Sequence, residues 1–156
     1  MLKIAIRDLQ HGPASTDGEL SSSDPVFAGL DLPLEGPVAV EGQLQATEGD
    51  DFLWRGVIRA TARLACRRCL TEVAVRLDRD VDVLLTSDPD AADDPSVYPL
   101  PAAAVQIDLT GVVREELALD VPAFVVCRDD CAGLCPTCGA DLNAGPCACA
   151  RSAEPT

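Results

Sequence analysis

A chain of 156 residues that is 47% hydrophobic but only 3% aromatic can bury one core, built from Val, Leu, Ile and Ala rather than from rings. Twelve basic residues against 26 acidic ones give a net charge of -14, which excludes a generally basic nucleic-acid coat and leaves room only for a local basic patch. The start, MLKIAIRDLQHGP, breaks its apolar strip with Lys3 and Arg7. It lacks the run of about 7–15 apolar residues of a secretory signal, and no stretch approaches the roughly 20 of a membrane span. The expected compartment is therefore the reducing cytoplasm, where clustered cysteines hold metal more often than they form disulfides.

Leu2, Ile4 and Ile6 alternate with Lys3, Ala5 and Arg7, predicting a half-buried strand. Residues 11–25 are loop by composition, rich in Gly, Pro, Ser and Asp. From Val38 to Thr47 the apolar residues Val38, Val40, Leu44 and Ala46 take the even positions, while Glu41, Gln43 and Gln45 make a wet face. After the turn Glu48-Gly49-Asp50 a longer strand runs from Phe52 to Cys66. Its even positions carry Phe52, Trp54, Ile58, Ala60, Ala62 and Leu64, and its odd ones Arg55, Arg59 and Arg63.

The next strand, Glu72 to Leu85, sets Val73, Val75, Leu77, Val81, Val83 and Leu85 against Arg76, Asp78, Asp80 and Asp82. Residues 86–104, with four Asp and four Pro, read as a solvated loop, the alternative being an acidic recognition element. Val105, Ile107 and Leu109 suggest a short strand. A helix capped by Asp108 then runs to Leu119 with Leu109, Val112, Val113 and Leu117 on one face and Glu115 and Glu116 on its solvated side.

These elements predict a mainly β (α+β) fold: an antiparallel meander forming a small barrel or sandwich, one C-terminal helix, then a cysteine-rich zinc-knuckle module. The expected domains are a β-rich body over 1–125 with its helix near 109–119, a metal-binding module over 126–149 packed on the 66–69 hairpin, and a disordered tail over 150–156.

Eight cysteines need a cause. Cys66-Arg67-Arg68-Cys69 falls where the two long strands must reverse, and Cys135-Pro136-Thr137-Cys138-Gly139 has the Pro and Gly of a tight turn. Each CxxC lets two thiolates converge on one cation. Structural zinc takes four ligands, so eight cysteines divide into two sites. The simplest division is Cys135, Cys138, Cys147 and Cys149 as one site and Cys66, Cys69, Cys127 and Cys131 as the other. The rival groups Cys127, Cys131, Cys135 and Cys138, leaving Cys147 and Cys149 to meet Cys66 and Cys69. All-thiolate sites suit zinc, with iron–sulfur ligation as the alternative. A third use, a redox pair at Cys135 and Cys138, would need a helix N-terminus in a βαβ setting that the pattern lacks.

A β-rich body carrying CRRCL at a hairpin, then IDLTGVVREELALDVPAFVVC, then CAGLCPTCGADLNAGPCAC, resembles the YceD family, the large ribosomal RNA subunit accumulation proteins. The likeness runs from Val38 to Cys149 and is most specific from Gly133 to Asn143, where the family's NLN or DLN stands as Asp141-Leu142-Asn143. It implies a non-catalytic cytoplasmic factor that supports accumulation of large-subunit (23S) ribosomal RNA, partnered by that RNA or by a basic ribosomal protein, with no membrane and no small-molecule substrate. Cysteine content varies among members, so the metal reads as a stabiliser rather than the seat of function.

Between Trp54 and Arg79 seven arginines face two acids, a local net of +5, while the rest of the chain carries -19. Arg55, Arg59 and Arg63 share a strand face and Arg67 and Arg68 crown the turn, so these five form a candidate RNA-binding ridge. The plainer reading pairs them with Asp78, Asp80 and Asp82 on the neighbouring strand. The acidic surplus elsewhere supports the alternative of an acidic chaperone for a basic protein. No catalytic set assembles: the one histidine, His11, lies in a Gly/Pro loop. Trp54 and Phe52 fall on the apolar face, where packing outweighs base stacking.

Overall fold

The computed structural model describes residues 2–47, 49–91, 94 and 96–149; the expected tail over 150–156 lies outside them. The chain divides into two compact units, Met1–Ala62 with Arg76–Val121, and Arg63–Val75 with Pro122–Thr156. Among the described residues no helix is long and apolar enough to cross a membrane.

Among the described residues the regular elements are mostly strands, with one α-helix. In order come β1 (Lys3–Ala5), β2 (Ala14–Ser15), β3 (Gly18–Leu20), β4 (Val38–Ala46), β5 (Phe52–Ala65), β6 (Glu72–Thr86), β7 (Val97–Pro99), β8 (Gln106–Asp108) and α1 (Thr110–Leu119). Strands β4, β5 and β6 lie side by side in chain order, as a meander requires, within an open sheet of order β2-β4-β5-β6-β7. β4 and β5 are antiparallel, with Val40 opposite Ile58 and Leu44 opposite Trp54.

Within the first unit the alternation read from the sequence decides burial. Val38, Val40 and Leu44 of β4, Phe52, Trp54, Ile58, Ala60 and Ala62 of β5, and Leu77, Val81, Val83 and Leu85 of β6 are all buried. So Trp54 is core, and its ring N–H donates to the buried Thr16 hydroxyl at 2.9 Å. On α1 the residues Val112, Val113 and Leu117 form one buried stripe that Leu109, just before the helix, extends.

Four expectations are corrected. Residues 11–25 are not all loop: β2 and β3 both pair antiparallel with β4. Residues 86–104 contain β7, which pairs in parallel with β6. Both are two- or three-residue edge pairings made by main-chain groups, which composition does not register. Leu109, expected in a short strand, occupies the N-cap position of α1 instead of Asp108. The Asp108 carboxylate still accepts from the Thr110 N–H at 3.0 Å, and Lys3 lies 3.0 Å away.

The fourth correction concerns Glu116, which is buried rather than solvated. Its carboxylate accepts from Arg79 Nε at 2.9 Å and from the Tyr98 hydroxyl at 3.1 Å. Burial, then the charges of Glu116 and Glu115, hold the Tyr98 phenol above its usual pKa, so it stays a donor.

Candidate metal centres and the arginine face

Everything in the two cysteine groups belongs to the second unit. The Cys66–Cys69 turn closes when the Cys66 N–H donates to the Thr71 carbonyl at 2.8 Å and the Leu70 N–H to the Cys66 carbonyl at 2.9 Å. The Cys135–Cys138 turn repeats the second bond: the Gly139 N–H donates to the Cys135 carbonyl at 2.8 Å. In both, the residue after the second cysteine is left-handed, φ +63° at Leu70 and +72° at Gly139. Glycine adopts that conformation freely; leucine does so at a cost of about 1 kcal/mol.

Each turn delivers two sulfurs and the C-terminal segment two more. Cys66 Sγ lies 3.9 Å from Cys131 Sγ, and Cys69 Sγ 3.6 Å from Cys127 Sγ. All sulfurs of the first tetrad (Cys66, Cys69, Cys127, Cys131) lie within 4.8 Å of one another, and the same holds for the second (Cys135, Cys138, Cys147, Cys149). The structure thus brings together the simpler of the two divisions and not its rival. None of the eight is joined in a disulfide.

A single tetrahedral ion with metal–sulfur bonds of about 2.3 Å sets its sulfurs about 3.8 Å apart. The two separations in the first tetrad bracket that value, and the four sulfurs of the second lie within 4.8 Å of one another, so the donor sets fit one metal ion each. Cys66, Cys69 and Cys131 are buried, with Val73, Val126 and Leu134 packed against them.

The local fields are divided. Burial opposes ionisation of Cys66, but main-chain N–H groups of Cys69, Arg68 and Cys127 outweigh it and lower the thiol to about 6. N–H groups of Cys138 and Thr137 likewise lower Cys135 to about 6. The Cys131 sulfur, then burial, push Cys127 up to about 12, and the Cys138 sulfur does the same to Cys149. Each tetrad therefore favours a thiolate at one position and holds a proton at another; a dication removes that conflict.

The five arginines are placed as follows. Arg55 Nε is 2.9 Å from the Asp82 carboxylate; Arg59 reaches Glu41 at 2.8 Å and Asp78 at 3.5 Å, and Glu41 holds its guanidinium above the usual pKa. Arg63 is exposed on the same strand. Arg67 and Arg68 hold the C-terminal segment by its main chain. Arg67 donates through its N–H to the Val125 carbonyl at 2.8 Å and through Nε to that of Ala123 at 3.3 Å. Arg68 Nη1 donates to the carbonyls of Asp129 at 3.0 Å and Cys131 at 3.1 Å.

Cys135 and Cys138 sit in a closed turn, and among the described residues the one helical element after it is a three-residue 3-10 segment, Leu142–Ala144, not the α-helix N-terminus that a redox pair uses. His11 is exposed. One polar side chain carries no signal in the cysteine spacing: Asn143, whose amide reaches the first tetrad. Its only signal was the Asp-x-Asn run between knuckle cysteines.

A family model described as large ribosomal RNA subunit accumulation protein YceD matches residues 54–155. An uncharacterized protein of Mycobacterium tuberculosis is 34% identical over 144 residues, covering 90% of this chain and 64% of its own length. A maize protein named large ribosomal RNA subunit accumulation protein YCED homolog 1, chloroplastic, is 27% identical over 168 residues, covering 81% of this chain and 57% of its own. The chain thus spans less than two thirds of the length of these relatives. No solved structure matches it.

Proposed function

The chain belongs to the YceD family, and from that premise we propose that it is a non-catalytic ribosome-biogenesis factor, acting in the cytoplasm, that supports accumulation of large-subunit ribosomal RNA. Two structural zinc ions, one per tetrad, hold the module of residues 126–149 on the 66–69 turn. The observation that carries the metal reading is two sets of four sulfurs, each within 4.8 Å. Four thiolates complete a zinc tetrahedron and leave no position for water or substrate, so the metal contributes folding energy rather than chemistry. An iron–sulfur cluster spreads its four cysteines over more than one iron and needs a wider set.

The RNA reading uses the arginines of β5 and the turn. A second reading, an acidic chaperone for a basic large-subunit ribosomal protein, is favoured by a specific observation: Arg55 and Arg59 already face carboxylates. In addition, the first unit holds 21 acidic and seven basic residues, whereas the second holds five of each.

Elemental analysis should find two zinc per chain; none, or a brown chromophore, refutes the metal assignment. Crosslinking in cells, with RNA and protein partners both identified, separates the two readings. The triple variant Arg55→Glu, Arg59→Glu, Arg63→Glu should abolish RNA crosslinks if the arginine face binds RNA. Unchanged RNA crosslinks refute that face, and a basic ribosomal protein recovered from wild type and variant alike supports the chaperone.

A further inference from the structure

We propose that Asn143 couples the two tetrads, so that a metal ion in the second raises the affinity of the first; the inference rests on the metal reading above. Asn143 lies in the second tetrad's own loop, between Cys138 and Cys147. Its side chain serves the first tetrad. Nδ2 donates to Cys131 Sγ at 3.5 Å, while Oδ1 accepts from the Ala132 N–H and from Arg128 Nη2, both at 2.8 Å.

The loop is built to hold that amide still. Asp141 accepts from the Asn143 main-chain N–H at 2.9 Å and from its Nδ2 at 2.7 Å. The Cys135 N–H donates to the Ala140 carbonyl at 2.8 Å, and the Leu142 N–H to the Gly133 carbonyl at 2.9 Å. The same segment docks on the first turn: the Leu134 N–H donates to the Arg68 carbonyl at 3.0 Å, and a side chain at Gly133 would press on that oxygen.

Two physical effects follow. An N–H donor on a ligating sulfur draws off negative charge and fixes the sulfur's direction, and removing such an outer partner typically costs about 10–100-fold in metal affinity. An ion clamped by Cys135, Cys138, Cys147 and Cys149 closes the 139–146 loop and orders Asn143 before the first tetrad fills. The entropy of fixing the donor is then already spent, and by linkage the coupling runs equally in both directions.

Cobalt(II) titration of the metal-free full chain, followed by thiolate-to-cobalt charge transfer and d–d absorption, tests this. Cys147→Ser with Cys149→Ser leaves only the first tetrad; Cys66→Ser with Cys69→Ser leaves only the second. Losing the second tetrad should weaken the first about 10–100-fold, and Asn143→Ala in the otherwise intact chain should weaken it about as much. Because both remove one link, combining them should cost no more than the larger single effect. Asn143→Asp, which keeps the shape but places a carboxylate beside Cys131, should weaken the first tetrad further. In the Cys66→Ser, Cys69→Ser background, Asn143→Ala should leave the second tetrad within threefold, which shows that its loop still forms. Unchanged first-tetrad affinity in Asn143→Ala, or effects that multiply, overturns the coupling while leaving two bound cobalt ions in place. A wild type that takes up no cobalt overturns the metal reading along with it.

Discussion

Replacing Arg79 with Met separates arginines that hold the fold from arginines a partner could use. The Glu116 side chain is only 5% exposed and that of Arg79 38%, whereas Arg55 and Asp82 are 65% and 61% exposed. Without the guanidinium, Glu116 keeps only the Tyr98 hydroxyl and remains a carboxylate in the core. Stranding a buried charge costs about 3–5 kcal/mol, and the partial exposure of Arg79 brings this to about 2–4 kcal/mol. Arg55→Met removes a solvated cross-strand pair and should cost about 0–1 kcal/mol. The chain's one tryptophan, Trp54, lies in the core of the same unit, so urea unfolding followed by its fluorescence reads both variants. Adding Glu116→Gln to Arg79→Met should recover part of the loss, since an amide is cheaper to bury than a charge. If Arg79→Met falls within about 0.5 kcal/mol of Arg55→Met, Glu116 is not the buried partner described above.

Three other outcomes are expected. Gly42→Ala places a methyl group 2.5 Å from the Arg55 carbonyl oxygen and 2.8 Å from the Gly56 Cα, main-chain atoms that cannot rotate away. It should cost about 1–3 kcal/mol or more by the same fluorescence assay, and a silent variant would contradict the β4–β5 register. Leu70→Gly should stabilise the second unit by about 0.5–1 kcal/mol, read as slower zinc loss to a chelator: it relieves the positive φ of a side chain 65% exposed, which gives up little packing. Stripping the metal with a strong chelator should open residues 122–149 to protease while Trp54 emission stays native; a loss of both signals together would refute independent support of the first unit.

What the sequence shows and what it hides follow from how each element is held. β4, β5 and β6 are long and wet on one face, so a period of two names most inward side chains from Val38 to Leu85, although Ala46 is exposed and Leu64, Val73 and Val75 are only half-buried. β2, β3 and β7 span two or three residues each, too short for any period, and exist because β4 and β6 offer unpaired main-chain edges. Arg79 was visible in principle: it shares the parity of Leu77 and Val81, an apolar register in which a base needs a buried acid. Glu116 answers it from a helix position one residue before Leu117 and four after Val112, on the edge of the apolar stripe. Periodicity names the face a residue takes, and only the fold names the partner across it.

The cysteines divide along the same line. The second tetrad is legible because it is local: Cys138 and Cys147 are nine positions apart, and Gly139 takes its left-handed φ without strain. The first joins Cys69 to Cys127 across 58 positions and uses Leu70 where the matching turn has glycine. Chain closure over that distance costs about 1.6 kcal/mol more than over nine. Local preference therefore forms the second turn and opposes the first, which has to be imposed by bonds from elsewhere in its unit: Arg67 to Val125, Arg68 to Cys131, Leu134 to Arg68. It follows that the donor to Cys131 sits where it is most useful, on the loop that closes cheaply, so that the easier tetrad supplies order to the harder one.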